Sequence, residues 1–549
     1  MSVLHGKNNR RILPRWRVSG KASYSNDFLA LKSTKKVQGN IKVQLQQAKL
    51  DFIKIPSIGS AAEALSYSLL AGETDAAVSA ARFILENEND APLTLFRLAQ
   101  SVIDGGNPFS VVGITPAEQV AQTRKLLRIN PDNPMLWADM ARHYSSLGHR
   151  TQASRSMLTA LQLAPNHRWI LRTAARFFVH QEEPIAAHKL LTNHPGTKND
   201  PWLIAAELAC AQVAERPARF WRQATQIIIW DKVHPRHMSE LATAVAMMEL
   251  ESGDRKKARK YIKKGLIAPT ENTLAQVYWA QENKHLKDGS NLDALVKSAT
   301  DAFEADYRFN LAKGDLIVAL DAAKIWKADE PFAARPCLEI AYIASLLDDY
   351  DLTIEIADDV YRLDGFIDFT LEMNIIFAEL SSGALDAHHD KKYIEKLHAK
   401  LMSAVEKNDS TSYHALANLG LWHYRYGEKS DGQVLYNQAI TRAQKANSNE
   451  GAAMAATFAA REAILSKEPS ADSVLQRAND LAKSSKNEAN LFYLRKLEAL
   501  SRNPWDSPEI LSPASAHRFV KKDKQTVPFR VEKTRNGNIL WIPKKDSHE

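Results

Sequence analysis

Apolar positions between Pro134 and Pro165 set the pattern to which much of the chain conforms. In PMLWADMARHYSSLGHRTQASRSMLTALQLAP, Trp137, Met140, Ala141 and Tyr144 recur at the three- and four-residue spacing of one helix face. Gly148 interrupts the pattern, where a helix end favours a residue able to turn left-handed. Ala153, Met157 and Ala160 make the buried stripe of a second helix, which Pro165 closes. Small side chains at Ala141 and Ala153 let the two helices approach closely, and the spacing marks Trp137 and Tyr144 as core residues.

The phase repeats every 34 residues around this stretch. Pro131 precedes Pro165 by one period. Ala174, Ala175, Phe178, Ala187 and Leu191 follow Met140, Ala141, Tyr144, Ala153 and Met157 by another, with Glu182 in the place of Gly148. Upstream, Gly72 separates two amphipathic segments, the second carrying Ala77, Ala81 and Ile84. Downstream, the pattern returns through Val245, Ala246, Gly253, Ala258 and Ile262. It recurs through Ile340, Ala341, Tyr350, Ala357 and Val360, with Asp348 at the glycine place. The last clear unit holds Leu419, Gly420, Gly427, Gly432, Tyr436 and Ala439, and helices over 451–501 would cap the array. Residues 43–55 suit a strand or a short helix, and 105–116 reads as a loop.

The order Trp, large apolar, small, aromatic, Gly, Ala, Pro resembles the tetratricopeptide repeat, a helix–turn–helix unit. The resemblance implies an all-α fold, a right-handed α-solenoid spanning 56–500. It implies that the first helix of each pair lines a concave surface, with ligand contacts one position after the small residue and three before it. On this chain those positions are Arg142, Arg172 and Arg176. Three guanidinium groups on one strip would clamp a carboxylate-bearing peptide. The family's peptide-clamping subclass mixes Lys, Asn and Arg at such places, and the Asn members are missing here. The implied function is a non-catalytic protein-binding scaffold or regulatory subunit that holds a partner protein, one candidate being a separately encoded effector enzyme.

Charge changes the picture at the two ends. Residues 1–50 hold eleven Lys/Arg against Asp27 alone, and 514–549 hold nine against four acids. A chain of net charge +8 therefore has a slightly acidic body between basic ends. In the arm over 1–55, RRILPRWR offers Arg10, Arg11, Arg15, Trp16 and Arg17 for contacts to phosphates and bases. The same composition suits a solvated tail or an arm packed on the acidic body, and charge repulsion makes 1–50 mobile in the free protein. A nucleic-acid-binding protein gripping phosphates with its basic ends is the alternative function. A Pro/Ser-rich linker follows over 501–525. Over 526–549, β-formers flank Asn536-Gly537, the signal of a short C-terminal β-hairpin.

Catalytic chemistry finds no foothold. Phosphate-loop, nucleophile-elbow and zinc-protease motifs are missing, and neither a cofactor nor a metal is expected. His388-His389-Asp390 reads as a polar loop, and Asp348-Asp349-Tyr350-Asp351 as a solvated turn that lacks the glycine and terminal glutamate of a calcium loop. Cys210 and Cys337, the only cysteines, sit in helical patterns and read as core residues. The basic, polar first residues and the lack of a long apolar run point to a cytoplasmic protein.

Overall fold

The computed structural model describes residues 13–17, 19 and 41–502 apart from short internal stretches, of which 104–114 and 283–291 are the longest, together with 510–512 and two terminal strands. Arg10, Arg11, most of the 105–116 loop, most of the 501–525 linker and the Asn536-Gly537 turn lie outside the described residues. Packing divides the chain into two compact units. Unit 1 comprises 1–308, 321–339 and 357–368. Unit 2 comprises 309–320, 340–356 and 369–549.

Unit 1 opens with α1 (Ile41–Lys54), α2 (Ile58–Ala71), α3 (Thr74–Glu86) and α4 (Leu93–Ile103). Residues 43–54 thus settle as helix. Ala48 of α1 joins Ala61, Leu65, Ala77, Ala81 and Ile84 in one core. Next come α5 (Pro116–Ile129), α6 (Pro134–Ser146), α7 (Arg150–Leu163), α8 (Arg168–His180), α9 (Pro184–Asn193) and α10 (Pro201–Val213). Then follow α11 (Trp221–Trp230), α12 (Pro235–Glu251), α13 (Arg255–Gly265), α14 (Glu271–Glu282) and α15 (Leu292–Ser298). Helices α16 (Phe303–Lys313), α17 (Leu316–Asp329), α18 (Arg335–Leu346) and α19 (Tyr350–Asp364) each lend residues to both units. Unit 2 continues with α20 (Phe369–Ser382), α21 (Lys391–Glu406), α22 (Tyr413–Tyr426), α23 (Lys429–Lys445), α24 (Asn449–Leu465), α25 (Ala471–Ser485) and α26 (Glu488–Arg502). Strands β1 (Phe529–Lys533) and β2 (Ile539–Pro543) pair antiparallel, Phe529 opposite Pro543.

Sequential helices pack as hairpins, α6 on α7, α12 on α13 and α22 on α23 among them, which is the tetratricopeptide-like arrangement. Ala141, Ala153, Met157 and Ala160 are sealed in one core, as the spacing predicts, and Ala138 joins them. Trp137 and Tyr144 differ: they pack on this core but are only partly buried. The Trp137 indole donates to Pro131 O at 2.7 Å, and the Tyr144 hydroxyl accepts from Arg124. In unit 2, a Cβ on Gly420 would lie 3.1 Å from Gly432 O, so these two glycines set the close approach of α22 and α23.

One turn geometry ends the first helix of several pairs. Gly148 sits at φ 72°, and His149 N donates back to Tyr144 O at 2.9 Å. Glu182 at φ 64° and Asp348 at φ 60° hold the same left-handed conformation without being glycine, each followed by the same return bond. Glycine at these places is thus a preference worth about 1–2 kcal/mol per residue, and neighbouring bonds offset its loss. Gly427 does not share the conformation, its φ being −125°.

Candidate functional site

The feature of unit 1 with most chemistry is a cleft filled by the chain's own residues 13–17 and 19. Pro14 restricts the residue before it to extended backbone, and Leu13–Arg17 carry no helix or strand assignment. Trp16 is fully buried, wedged between Phe177 of α8, edge-on at 5.7 Å between ring centroids, and Phe332, tilted at 4.8 Å. Its carbonyl accepts from Arg142 Nε at 3.0 Å. Asn272 Nδ2 of α14 donates to Leu13 O at 2.8 Å, and Leu13 packs against the core that includes Leu171 and Cys210.

The flanking arginines meet carboxylates. Arg15 pairs with Glu304 and, at 2.9 Å, with Glu330. Arg17 pairs with Asp301, reaches Asp329 at 3.3 Å and Glu271 at 3.6 Å, and donates to Asp301 O at 2.8 Å. Ser19 donates from both its backbone N–H, at 2.7 Å, and its hydroxyl to Asp139 of α6. Burial is the largest influence on Arg15 and opposes its charge, yet Glu330 and Glu304 together raise its pKa above the ordinary value. Arg17 behaves alike: burial opposes, while Glu271, Asp329 and Asp301 prevail. Burial also raises Glu304, but Arg335, Arg15 and Arg308 outweigh it and hold the carboxyl below its ordinary range. Asp139 answers mainly to burial and is pushed up to about 6, although the Ser19 bonds work the other way. Chemically the cleft is an acidic, aromatic-floored receptor for an extended Arg-Trp-Arg segment.

The three arginines predicted to form an exposed strip are instead built into this region. Arg142 is buried and spans from Trp16 O to Asp329 O, the latter at 2.6 Å. Arg172 is buried, paired with Glu240 and stacked over Trp202 at 4.0 Å. Arg176 lies over the Phe332 ring at 5.2 Å, with Arg142 over that ring at 5.7 Å. So Arg142 and Arg176 do converge, with Arg142 holding a peptide carbonyl and both lying over one aromatic ring. Arg15, Trp16 and Arg17 turn into the protein, which corrects their assignment as a mobile, phosphate-facing set. The carboxylates of the cleft and Phe332 escape the 34-residue pattern because most come from helix ends and connections; only the contrast of acidic body and basic arm hinted at them.

Other candidates resolve into structure. Asp348 is no solvated turn residue: it is buried, paired with Lys496, and accepts from Tyr350 and Tyr493 hydroxyls at 2.6 and 2.7 Å. Asp386 accepts from the backbone N–H of His388 and His389, making that segment an exposed polar turn. Among the described residues no cluster of His, Cys, Asp and Glu fits a metal ion. Cys210 and Cys337 are buried, and burial pushes the Cys210 thiol up to about 12. A separate 400 Å³ concavity over α5–α7 is lined by Trp137 and Tyr144 with Arg124, Arg128 and Arg155 at its edge. No described helix is long and apolar enough to cross a membrane.

No family model matches the chain, and no curated protein does. Among solved structures, the chain is similar to Cut9-Hcn1, described as an APC/C hetero-tetramer, at 13% identity and TM-score 0.35, covering 83% of this chain and 93% of that one. Yeast Tom70 is similar at 13% identity and TM-score 0.28 over 82% and 98%. A human IFIT1 dimer with PPP-AAAA is similar at 12% and 0.25 over 74% and 95%.

Proposed function

We propose that this chain is a non-catalytic protein-binding scaffold or regulatory subunit that holds a partner protein on its helical array in a stable complex. The observation that carries this is the seating of residues 13–19 in unit 1. A helical array that buries an aromatic anchor and neutralises both neighbouring arginines has the elements of peptide recognition: an anchor pocket, charge complementarity and a bond to the peptide backbone. A separately encoded effector enzyme is the kind of partner such a subunit would hold. The test is affinity capture of the full chain from its native host at two salt concentrations, with mass spectrometry. A stoichiometric protein partner retained from roughly 50 to 200 mM salt supports the scaffold. Recovery of nucleic acid alone, lost steeply over that range, refutes it.

One observation keeps the nucleic-acid alternative in view. Although the arm's Arg15, Trp16 and Arg17 are engaged, Arg124, Arg128 and Arg155 beside Trp137 and Tyr144 combine cations with aromatic faces. On that reading, Arg124→Glu with Arg128→Glu abolishes oligonucleotide binding, whereas on the scaffold reading there is none to abolish.

A further inference from the structure

We infer that the cleft of unit 1 is a receptor for extended segments of the pattern basic–aromatic–basic supplied by another polypeptide, and that residues 13–19 occupy it in cis as a competitor. The inference rests on the scaffold reading and names its partner class.

Three features of the occupied cleft specify the ligand. The anchor site takes a large aromatic, since Phe177 and Phe332 contact Trp16 on different sides and leave it fully buried. The sites on either side take cations. Glu304 and Glu330 face the position before the aromatic, and Asp301, Asp329 and Glu271 face the position after it. The backbone is read as well, by Asn272 at Leu13 O and by Arg142 at Trp16 O. An acidic or wholly apolar peptide would leave five carboxylates facing no cation from the ligand, which selects against it.

The occupant is covalently joined to the array through the 21 residues 20–40 of the same chain. Such a tether gives an in-cis segment an effective concentration of order millimolar. A free peptide of the same sequence must therefore compete against that value, and a partner succeeds by carrying a better segment or a second contact elsewhere on the array. At the Ser19 end the hydroxyl and backbone N–H both donate to the single carboxylate of Asp139.

The experiment uses the full chain and a fluorescein-labelled peptide LPRWRVS, the sequence of residues 13–19. Fluorescence anisotropy is measured with wild type, with an Arg15→Glu/Trp16→Ala/Arg17→Glu variant, and with Arg17→Ala, which keeps the aromatic anchor and so guards against a variant that fails to fold. The triple variant is expected to bind the peptide about 100-fold more tightly than wild type, and Arg17→Ala about 10-fold more tightly, because each weakens the tethered competitor. A peptide with its tryptophan replaced by alanine should bind none of the three. If Arg17→Ala, and the triple variant with its helical circular dichroism intact, bind no better than wild type, or bind the alanine peptide equally well, the cleft is a fixed seat for its own arm and the inference is overturned. Host-partner capture that survives that result would leave the scaffold reading standing; loss of capture with peptide binding retained would do the reverse.

Discussion

Replacing Trp16 by alanine removes the largest side chain in the cleft. The indole is fully buried and touches Phe177 and Phe332. Truncating a buried tryptophan costs about 3–5 kcal/mol through lost transfer energy and the cavity left behind. The indole N–H finds no partner among the described residues, which offsets part of this by roughly 1 kcal/mol, because an orphaned buried donor is itself unfavourable. A net loss of about 2–4 kcal/mol remains. If the arm leaves instead of collapsing, the loss is limited to the free energy of docking, and Glu304 and Glu330 lose Arg15, the cation they share. Urea unfolding followed by far-ultraviolet circular dichroism reports the first helical transition, an array of this length not being expected to unfold in one step. For a slope of about 2–3 kcal/mol per molar, the midpoint of that transition should fall by about 1 M. Trp16→Phe, which keeps ring packing and removes the orphaned N–H, should lose less than half as much. An unchanged midpoint in Trp16→Ala refutes the claim that this side chain is part of the core.

Further outcomes follow from the turns, the polar core and the raised carboxyl of Asp139. Gly148→Ala should destabilise far more than Gly253→Ala in thermal unfolding: both sit at positive φ, costing about 1–2 kcal/mol, but a Cβ at 148 would lie 2.3 Å from Arg362 O while one at 253 meets nothing. Glu182→Gly, exposed and left-handed, should be neutral or stabilising by up to about 1 kcal/mol, whereas Asp348→Gly should cost about 3–5 kcal/mol, because relief at φ 60° is outweighed by stranding Lys496. Unit 1 should gain stability as pH falls from 7 to about 5: Asp139 has an ordinary value of 3.8 in the unfolded chain and about 6 in the folded one, raised mainly by burial, so the folded state binds more protons across this window. Asp139→Asn should remove that pH dependence, as read from the urea midpoint at pH 7 and pH 5; a dependence that persists in the variant shows another group to be responsible.

The helical pairs were legible because their signal is local. Ala141, Ala153, Met157 and their counterparts at 34-residue intervals report one buried stripe per helix, and all three are sealed in the core. The turn at Asp348 was legible by register, but not its chemistry, because its partners Tyr493 and Lys496 are about 145 residues away in sequence. The cleft was hidden for the same reason. Arg142 was found through its position after Ala141, yet its burial depends on Trp16 and Asp329, 126 and 187 residues distant. Periodicity tells which face of a helix is special and is silent on what covers that face. The arm's aromatic among arginines was visible as a binding motif; that its receptor is the same chain became visible only when Phe177 and Phe332 were brought to either side of it.

The most direct test of the seated arm is the rate at which trypsin cuts after Arg15 and Arg17 in the native full chain, read by mass spectrometry against the free peptide LPRWRVS at equal protease. With the arginines paired and Trp16 buried, cleavage requires undocking, and the account predicts protection by at least about 100-fold, lost in Trp16→Ala. Cleavage of the native chain at these two bonds as fast as in the free peptide would contradict it.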